Sequence, residues 1–184
     1  MIVTWLLALA VALFDGSSFA GWSVVGEAAW KIEAGDAGAE IVAAGTGDGF
    51  LRTDAEYGDF ELRLEFWVDA TTNSGIMIRC KDSQRIHPDT CYELNIWDLH
   101  PQQPARTGAI VFVAMPPLVQ VDTIGKWNSY EVLARGGQLV VKVNGETTAM
   151  IEDADPTPGF IALQHWQTGT VRFRNITLKT NKEF

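Results

Sequence analysis

Phe60-Glu-Leu-Arg-Leu-Glu-Phe-Trp-Val68 is the stretch that decides the fold. Phe60, Leu62, Leu64, Phe66 and Val68 fall on one side of an extended chain, and Glu61, Arg63 and Glu65 on the other. A period of two with one apolar face and one charged face predicts a strand with one side buried and one side wet. Working outward, Tyr130–Arg135, Gln138–Val143 and Val171–Arg174 read as further strands. Asn144-Gly145 sits between two strand-rich runs and predicts a type I′ hairpin, because both central residues of that turn need positive φ. Arg135-Gly-Gly-Gln138 and Gly47-Asp-Gly49 are further turn signals. No long segment of period 3.6, linker or internal repeat appears. Short strands punctuated by Gly, Asn and Pro predict an all-β chain: a two-sheet antiparallel β-sandwich or jelly roll forming one domain over residues 13–184.

The length of 184 residues suits one domain with a full core. The formal net charge is −9 and no basic run is present, which excludes phosphate-backbone recognition of nucleic acid and attraction to an anionic membrane. Seven Trp are many for this length, and their flat faces serve either as core filling or as platforms for sugar rings. The start, Met1 to Ala12, is apolar but too short to span a bilayer. Its small residues Ala8, Ala10 and Ala12 make residues 1–12 a signal segment on this reading, although the usual basic start is lacking. The competing readings are a mis-called start codon and a buried first strand. The expected location is periplasmic or secreted.

Cys80 and Cys91 are the two cysteines, and an oxidising compartment would join them in a disulfide. One feature opposes the pairing. Cys80 is in phase with Ile76 and Ile78, whereas Cys91 is in phase with Glu93 and Asn95, so regular strands would start the thiols on opposite faces. A bulge or a strand end between them removes the conflict. No second Cys/His pair completes a zinc motif.

Candidate chemistry lies in Asn73-Ser-Gly-Ile-Met-Ile-Arg-Cys80 and Cys91-Tyr-Glu-Leu-Asn-Ile-Trp-Asp98. With the aliphatic residues inward, the other face carries Met77, Arg79, Glu93, Asn95 and Trp97. A cation, a carboxylate, an amide and an indole together suit a sugar, which needs planar polar groups and an aromatic platform. The plainer alternative is a solvated face with an Arg–Glu cross-strand pair. Phe160–Trp166 adds Gln164 and Trp166 to that face, with His165 pointing the other way unless the strand ends there. His87 and His100 fall in loops. His100–Arg106 and Met115–Leu118 are the loosest stretches, of the kind that rims a binding face.

These residues resemble the 3-keto-disaccharide hydrolase domain family, built on a concanavalin A-like lectin/glucanase fold. The matching segments run in the family's order over roughly residues 13–179. They begin with Leu13-Phe-Asp-Gly16, Gly21-Trp22 and Leu51–Leu62. Asn73–Arg79, Tyr92–Asp98, Thr107-Gly-Ala-Ile110 and Gly125–Glu131 follow. Val143-Asn-Gly145, Ile161–Gln164 and Phe173-Arg-Asn-Ile176 complete them. The family often carries Gln where this chain has Asn95. The resemblance implies cleavage of a glycoside or disaccharide already oxidised at C3. A C3 ketone acidifies the C2 proton; a base removes it, the C1 substituent leaves, and water adds back. Such a site needs a base, donors for the enolate oxygen and an acid. On this reading Glu93 is the base and Arg79 stabilises the enolate. Asn95 and Gln164 orient hydroxyls, and Asp98 or His165 is the acid or a metal ligand. Trp97, Trp166, Met77 and Thr107 contact the sugar. The metal stays open: a divalent cation with oxygen ligands around Glu93 and Asp98 is compatible with these residues, although no Ca²⁺-loop spacing is present.

Two rivals share the fold. A retaining glycosidase needs two carboxylates about 5–5.5 Å apart. Glu93 and Asp98 are five residues apart, which places them on opposite faces of a regular strand. A non-catalytic carbohydrate-binding module needs only aromatics, Arg79 and amides around a groove.

Overall fold

The structure is a computed structural model that describes residues 10–180. Thirteen strands are present among the described residues, with one 3-10 turn at Gln103–Ala105. In chain order the first are β1 (Val11–Ala12), β2 (Trp22–Gly26), β3 (Trp30–Gly35), β4 (Gly38–Ala44) and β5 (Gly49–Thr53). β6 (Phe60–Val68), β7 (Asn73–Cys80) and β8 (Tyr92–Ile96) follow. The last are β9 (Trp127–Arg135), β10 (Gln138–Val143), β11 (Glu146–Ile151), β12 (Phe160–Trp166) and β13 (Thr170–Thr180).

They form two antiparallel sheets. The larger runs β11-β10-β9-β6-β13-β4-β3, with β1 paired to β13, and the smaller runs β2-β5-β12-β7-β8. The all-β sandwich expected from the sequence is the one found. Burial along β6 alternates as its pattern demands: Phe60, Leu62, Leu64, Phe66 and Val68 are buried, and the residues between them are not. These side chains meet Leu51, Ile76, Ile78, Leu94, Ile161 and Leu163 from the smaller sheet in one apolar core. Asn144 and Gly145 both have positive φ and join β10 to β11, as the hairpin rule requires.

Of the apolar start, residues 1–9 lie outside the described residues. Val11 and Ala12 pair with Leu178 and Thr177, so the end of the expected signal segment is a short strand of the larger sheet.

The smaller sheet departs from simple alternation on β7, where every residue from Ser74 to Cys80 is buried. Both faces of this strand are covered. Ile76 and Ile78 face the sandwich core, while Met77 and Cys80 face a second apolar cluster on the outer side with Phe50, Ile86, Cys91 and Ala162. Opposite β12, Met77 pairs with Ala162 but Cys80 pairs with Phe160, so β7 holds one extra residue. Arg79, at φ +50°, lies within that extra span. Such a bulge inverts which face the following residues take. It turns Cys80 outward, where a disulfide joins it to Cys91. Gly159 lies against this bulge, and a Cβ there would meet the Arg79 carbonyl carbon at 2.5 Å.

Candidate functional site

The outer face of the smaller sheet carries a cleft of about 280 Å³. Its floor comes from the register of β12, β7 and β8. Gln164 and Asn95 both pair with Gly75, and Glu93 pairs with Met77. Gly75 has no side chain, so Gln164 extends across it and its Nε2 donates to Glu93 Oε1 at 3.1 Å. Gln164 Oε1 is buried and receives no hydrogen bond from the described residues. A Cβ at Gly75 would lie 3.0 Å from that oxygen and 3.2 Å from the Leu94 carbonyl oxygen.

Glu93 is 8% exposed and is the one carboxylate among the residues that line the cleft. Burial pushes its carboxyl above the ordinary glutamate value of 4.5, against the opposing pull of the Gln164 hydrogen bond and the charge of His87. The walls are largely apolar and aromatic. Phe50 and Trp166 stand at one side with ring centroids 6.1 Å apart. Trp97 and His100 meet edge to face at 4.4 Å on another. Ile86, His87 and Pro88 come from the loop between β7 and β8, which Lys81 N closes by donating to the Thr90 carbonyl at 3.0 Å. The disulfide holds the base of that loop. His87 Nδ1 is 2.7 Å from Asp89 Oδ1, which leaves its Nε2 as the free ring nitrogen.

Beyond β8 the chain adds a short edge. Gly108 N donates to Asn95 O at 3.0 Å, Asn95 N to Ala109 O at 3.0 Å, and Val111 N to Glu93 O at 2.9 Å. Val111 and Phe112 are thereby fixed beside Glu93 as the outer lip of the cleft.

Five sequence candidates therefore line one cleft: Glu93, Asn95, Trp97, Gln164 and Trp166. Asn95 has little left to offer a ligand, since its Nδ2 donates to Ala105 O and its Oδ1 accepts from Ile96 N at 2.9 Å. The other candidates lie elsewhere. Arg79 is turned away by its own bulge and is 1% exposed. Its guanidinium donates to the carbonyls of Gly136, Asp155 and Gly58 at 2.8, 3.0 and 3.4 Å, and to Asp59 Oδ1 at 3.4 Å. It clamps the end of the sandwich, and it cannot reach an enolate over Glu93. Asp98 Oδ1 accepts from Thr107 Oγ1 at 2.5 Å and Thr123 Oγ1 at 2.9 Å, while its Oδ2 accepts from Thr123 N at 2.5 Å. Asp98 and Thr107 thus pin a buried loop and line no part of the cleft. His165 is buried on the core side of β12, with Nδ1 2.9 Å from Gly47 O and Nε2 3.2 Å from Gly169 O. Met77 is on the expected face but fully buried beneath the second apolar cluster. A cation shared by Glu93 and Asp98 finds no support in this geometry, and among the described residues no three His, Cys, Asp or Glu gather as metal ligands.

Sequence reasoning missed Phe50, Asn73, Ile86, Pro88, Val111 and Phe112, and it left His87 and His100 without a role. Asn73 follows from pairing, because it lies opposite Trp166. The others come from loops and a neighbouring strand, which carry no periodic signal.

Comparison with known proteins gives a consistent placement. A candidate glycosyl hydrolase of Parabacteroides distasonis superposes with a TM-score of 0.77 at 23% identity, over 94% of this chain and 100% of that one. The carbohydrate-binding module CBM66 of Bacillus subtilis gives 0.60 at 17% identity, over 87% and 96%. A Bacillus licheniformis β-glucanase gives 0.64 at 12% identity, over 95% and 98%. These likenesses establish the fold. No curated protein matches the sequence. The profile of the 3-keto-alpha-glucoside-1,2-lyase-like domain matches residues 9–179, and on that match, with the motif order and the fold, the chain belongs to this family.

Proposed function

We propose that the cleft binds a glycoside oxidised at C3 and that Glu93 removes its C2 proton. The observation that carries this reading is the lone buried carboxylate: Glu93 has no second acid beside it in the cleft, and its basicity is raised by burial. A paired-carboxylate glycosidase would need a partner there. Elimination needs a single base, because the C3 carbonyl supplies the acidity.

In this mechanism the electron pair of the C2–H bond moves toward C3 and the charge collects on the C3 oxygen. The amides of Asn73 and Gln164 are the available donors for that oxygen, in place of Arg79. The pair then returns and the C1–O bond breaks. His87, oriented by Asp89, supplies the proton to the departing oxygen. Water adds at C1 of the resulting enone, so the net result is hydrolysis. Trp97 and Trp166 offer faces for the ring. The Cys80–Cys91 disulfide supports a periplasmic or secreted location.

A second reading, binding without turnover, is favoured by the withdrawal of Arg79 and Asp98 from the cleft. One experiment separates the two. The protein is incubated with a 3-keto-glucoside, with and without a chelator, and aglycone release is followed for wild type and Glu93→Gln. Release by wild type that Glu93→Gln loses supports elimination. Binding of the unoxidised glucoside with no release from the oxidised one establishes the binding module instead.

A further inference from the structure

Phe112 is 77% exposed, the most exposed of the large apolar side chains at the cleft, and it adopts φ +63°. A left-handed backbone is unfavourable for a bulky non-glycine residue, and such strain concentrates at functional positions. The turn that imposes it is tightly built: Val113 N and Ala114 N both donate to the Ile110 carbonyl, at 3.0 and 2.8 Å. The core gains nothing from the ring. Its position is nevertheless set by the candidate base, because the preceding residue, Val111, donates its N–H to the Glu93 carbonyl. The lip formed by Val111 and Phe112 carries no charged or hydrogen-bonding side chain. By contrast, Glu93 and Gln164 supply polar groups on the floor.

We propose that Phe112 is a specificity-determining residue that receives the departing group, and that the preferred substrate carries a flat, apolar aglycone there. This rests on the elimination reading of the same cleft. The ring being cleaved takes the polar floor, where Glu93 and the Gln164 amide supply the hydrogen-bonding groups. A second sugar at the lip gains no side-chain hydrogen bond from Val111 or Phe112, whereas an aryl group stacks on the exposed ring.

The test compares phenyl and methyl 3-keto-glucoside, which share the sugar and differ only in the group that leaves. Phe112→Asn removes the ring and keeps a residue that tolerates positive φ, and Phe112→Tyr keeps the ring. The ratio of kcat/KM for phenyl over methyl is expected to fall about tenfold in Phe112→Asn, the worth of one aromatic contact, and to be retained in Phe112→Tyr. Taking the ratio within each protein cancels the intrinsic difference between phenoxide and methoxide as leaving groups. Equal losses for both substrates, or no change in the ratio, overturn the proposal. If wild type cleaves neither compound, the elimination reading falls. The lip is then read by binding of the same two compounds to Glu93→Gln and to Glu93→Gln/Phe112→Asn. Tighter phenyl binding that is lost with the ring sustains the apolar lip, and equal affinities remove it.

Discussion

Gln164 on β12 and Glu93 on β8 are hydrogen-bonded at 3.1 Å although a whole strand, β7, lies between theirs. Neighbouring strands stand about 4.8 Å apart, so this contact spans two strand spacings. It exists because Gly75 leaves the intervening surface bare. The donated bond holds the carboxylate in place and partly offsets the effect of burial on it.

The pH dependence of activity follows. With Glu93 as base, kcat/KM should rise with pH through a value above the ordinary 4.5, because burial raises the carboxyl. Gln164→Leu removes the bond that opposes that rise, so its acid limb should move to still higher pH. A profile of kcat/KM against pH for the two proteins checks both shifts, and an unmoved limb in Gln164→Leu would contradict the role of the bond.

Stability gives an independent reading of the same carboxylate. Its pKa is raised in the fold, so its contribution is fully present below the unfolded value and is lost as pH climbs through the folded one. Glu93→Gln carries no charge at any pH. It should match wild type in acid and exceed it in Tm at neutral pH. Thermal melts across pH test the sign.

Gly75→Ala probes the bare strand. The added methyl would stand 3.0 Å from Gln164 Oε1, closer than a comfortable contact, and the amide must shift to admit it. The backbone at 75 needs no positive φ, so the fold should survive with a loss of about 1 kcal/mol or less. Activity should fall at least about tenfold, since the displaced amide contacts the base. Full activity with an unchanged melt would show that Gln164 need not sit where it does.

Arg79 should behave as a structural residue. Arg79→Lys keeps the charge and loses the fork that reaches Gly58, Asp59, Gly136 and Asp155. A destabilisation of about 2–4 kcal/mol is expected by denaturant melts, as for other disrupted buried ionic groups. The folded fraction should retain wild-type KM. A selective drop in kcat with unchanged stability would return Arg79 to the chemistry.

The loop wall depends on the disulfide. Cys80→Ala/Cys91→Ala should cost about 2–3 kcal/mol, on the loop-closure scale for a sequence separation of 11. Ile86, His87 and Pro88 would lose the tether at the base of their loop. Protease nicking between residues 81 and 90 should accelerate in the double variant, with KM rising more than kcat falls.

The strand periodicity made both sheets legible, and with them the face that holds Glu93, Asn95 and Gln164. The same rule set His165 inward and Trp97 and Trp166 toward the ligand side. Arg79 escaped it because an arginine gives no hint of a left-handed backbone, in the way that Asn144-Gly145 does. Asp98 and Thr107 escaped it for another reason. Asp98 accepts from both Thr107 and Thr123, which joins residues far apart in sequence, and a strand pattern carries no record of such loop packing. Phe112 and His87 belong to loops as well, so their arrival at the cleft depends on pairing beside β8 and on the disulfide.

The inserted residue in β7 also has a consequence for how the chain reaches its native state. Cys80 and Cys91 share a face only after the strand has taken its extra residue. A chain paired without the bulge sends the Cys80 thiol into the core and leaves it unable to meet its mate. The Cys80–Cys91 bond is therefore closed only in the alignment that carries the bulge. The covalent bond fits only the strand parity that also shapes the cleft.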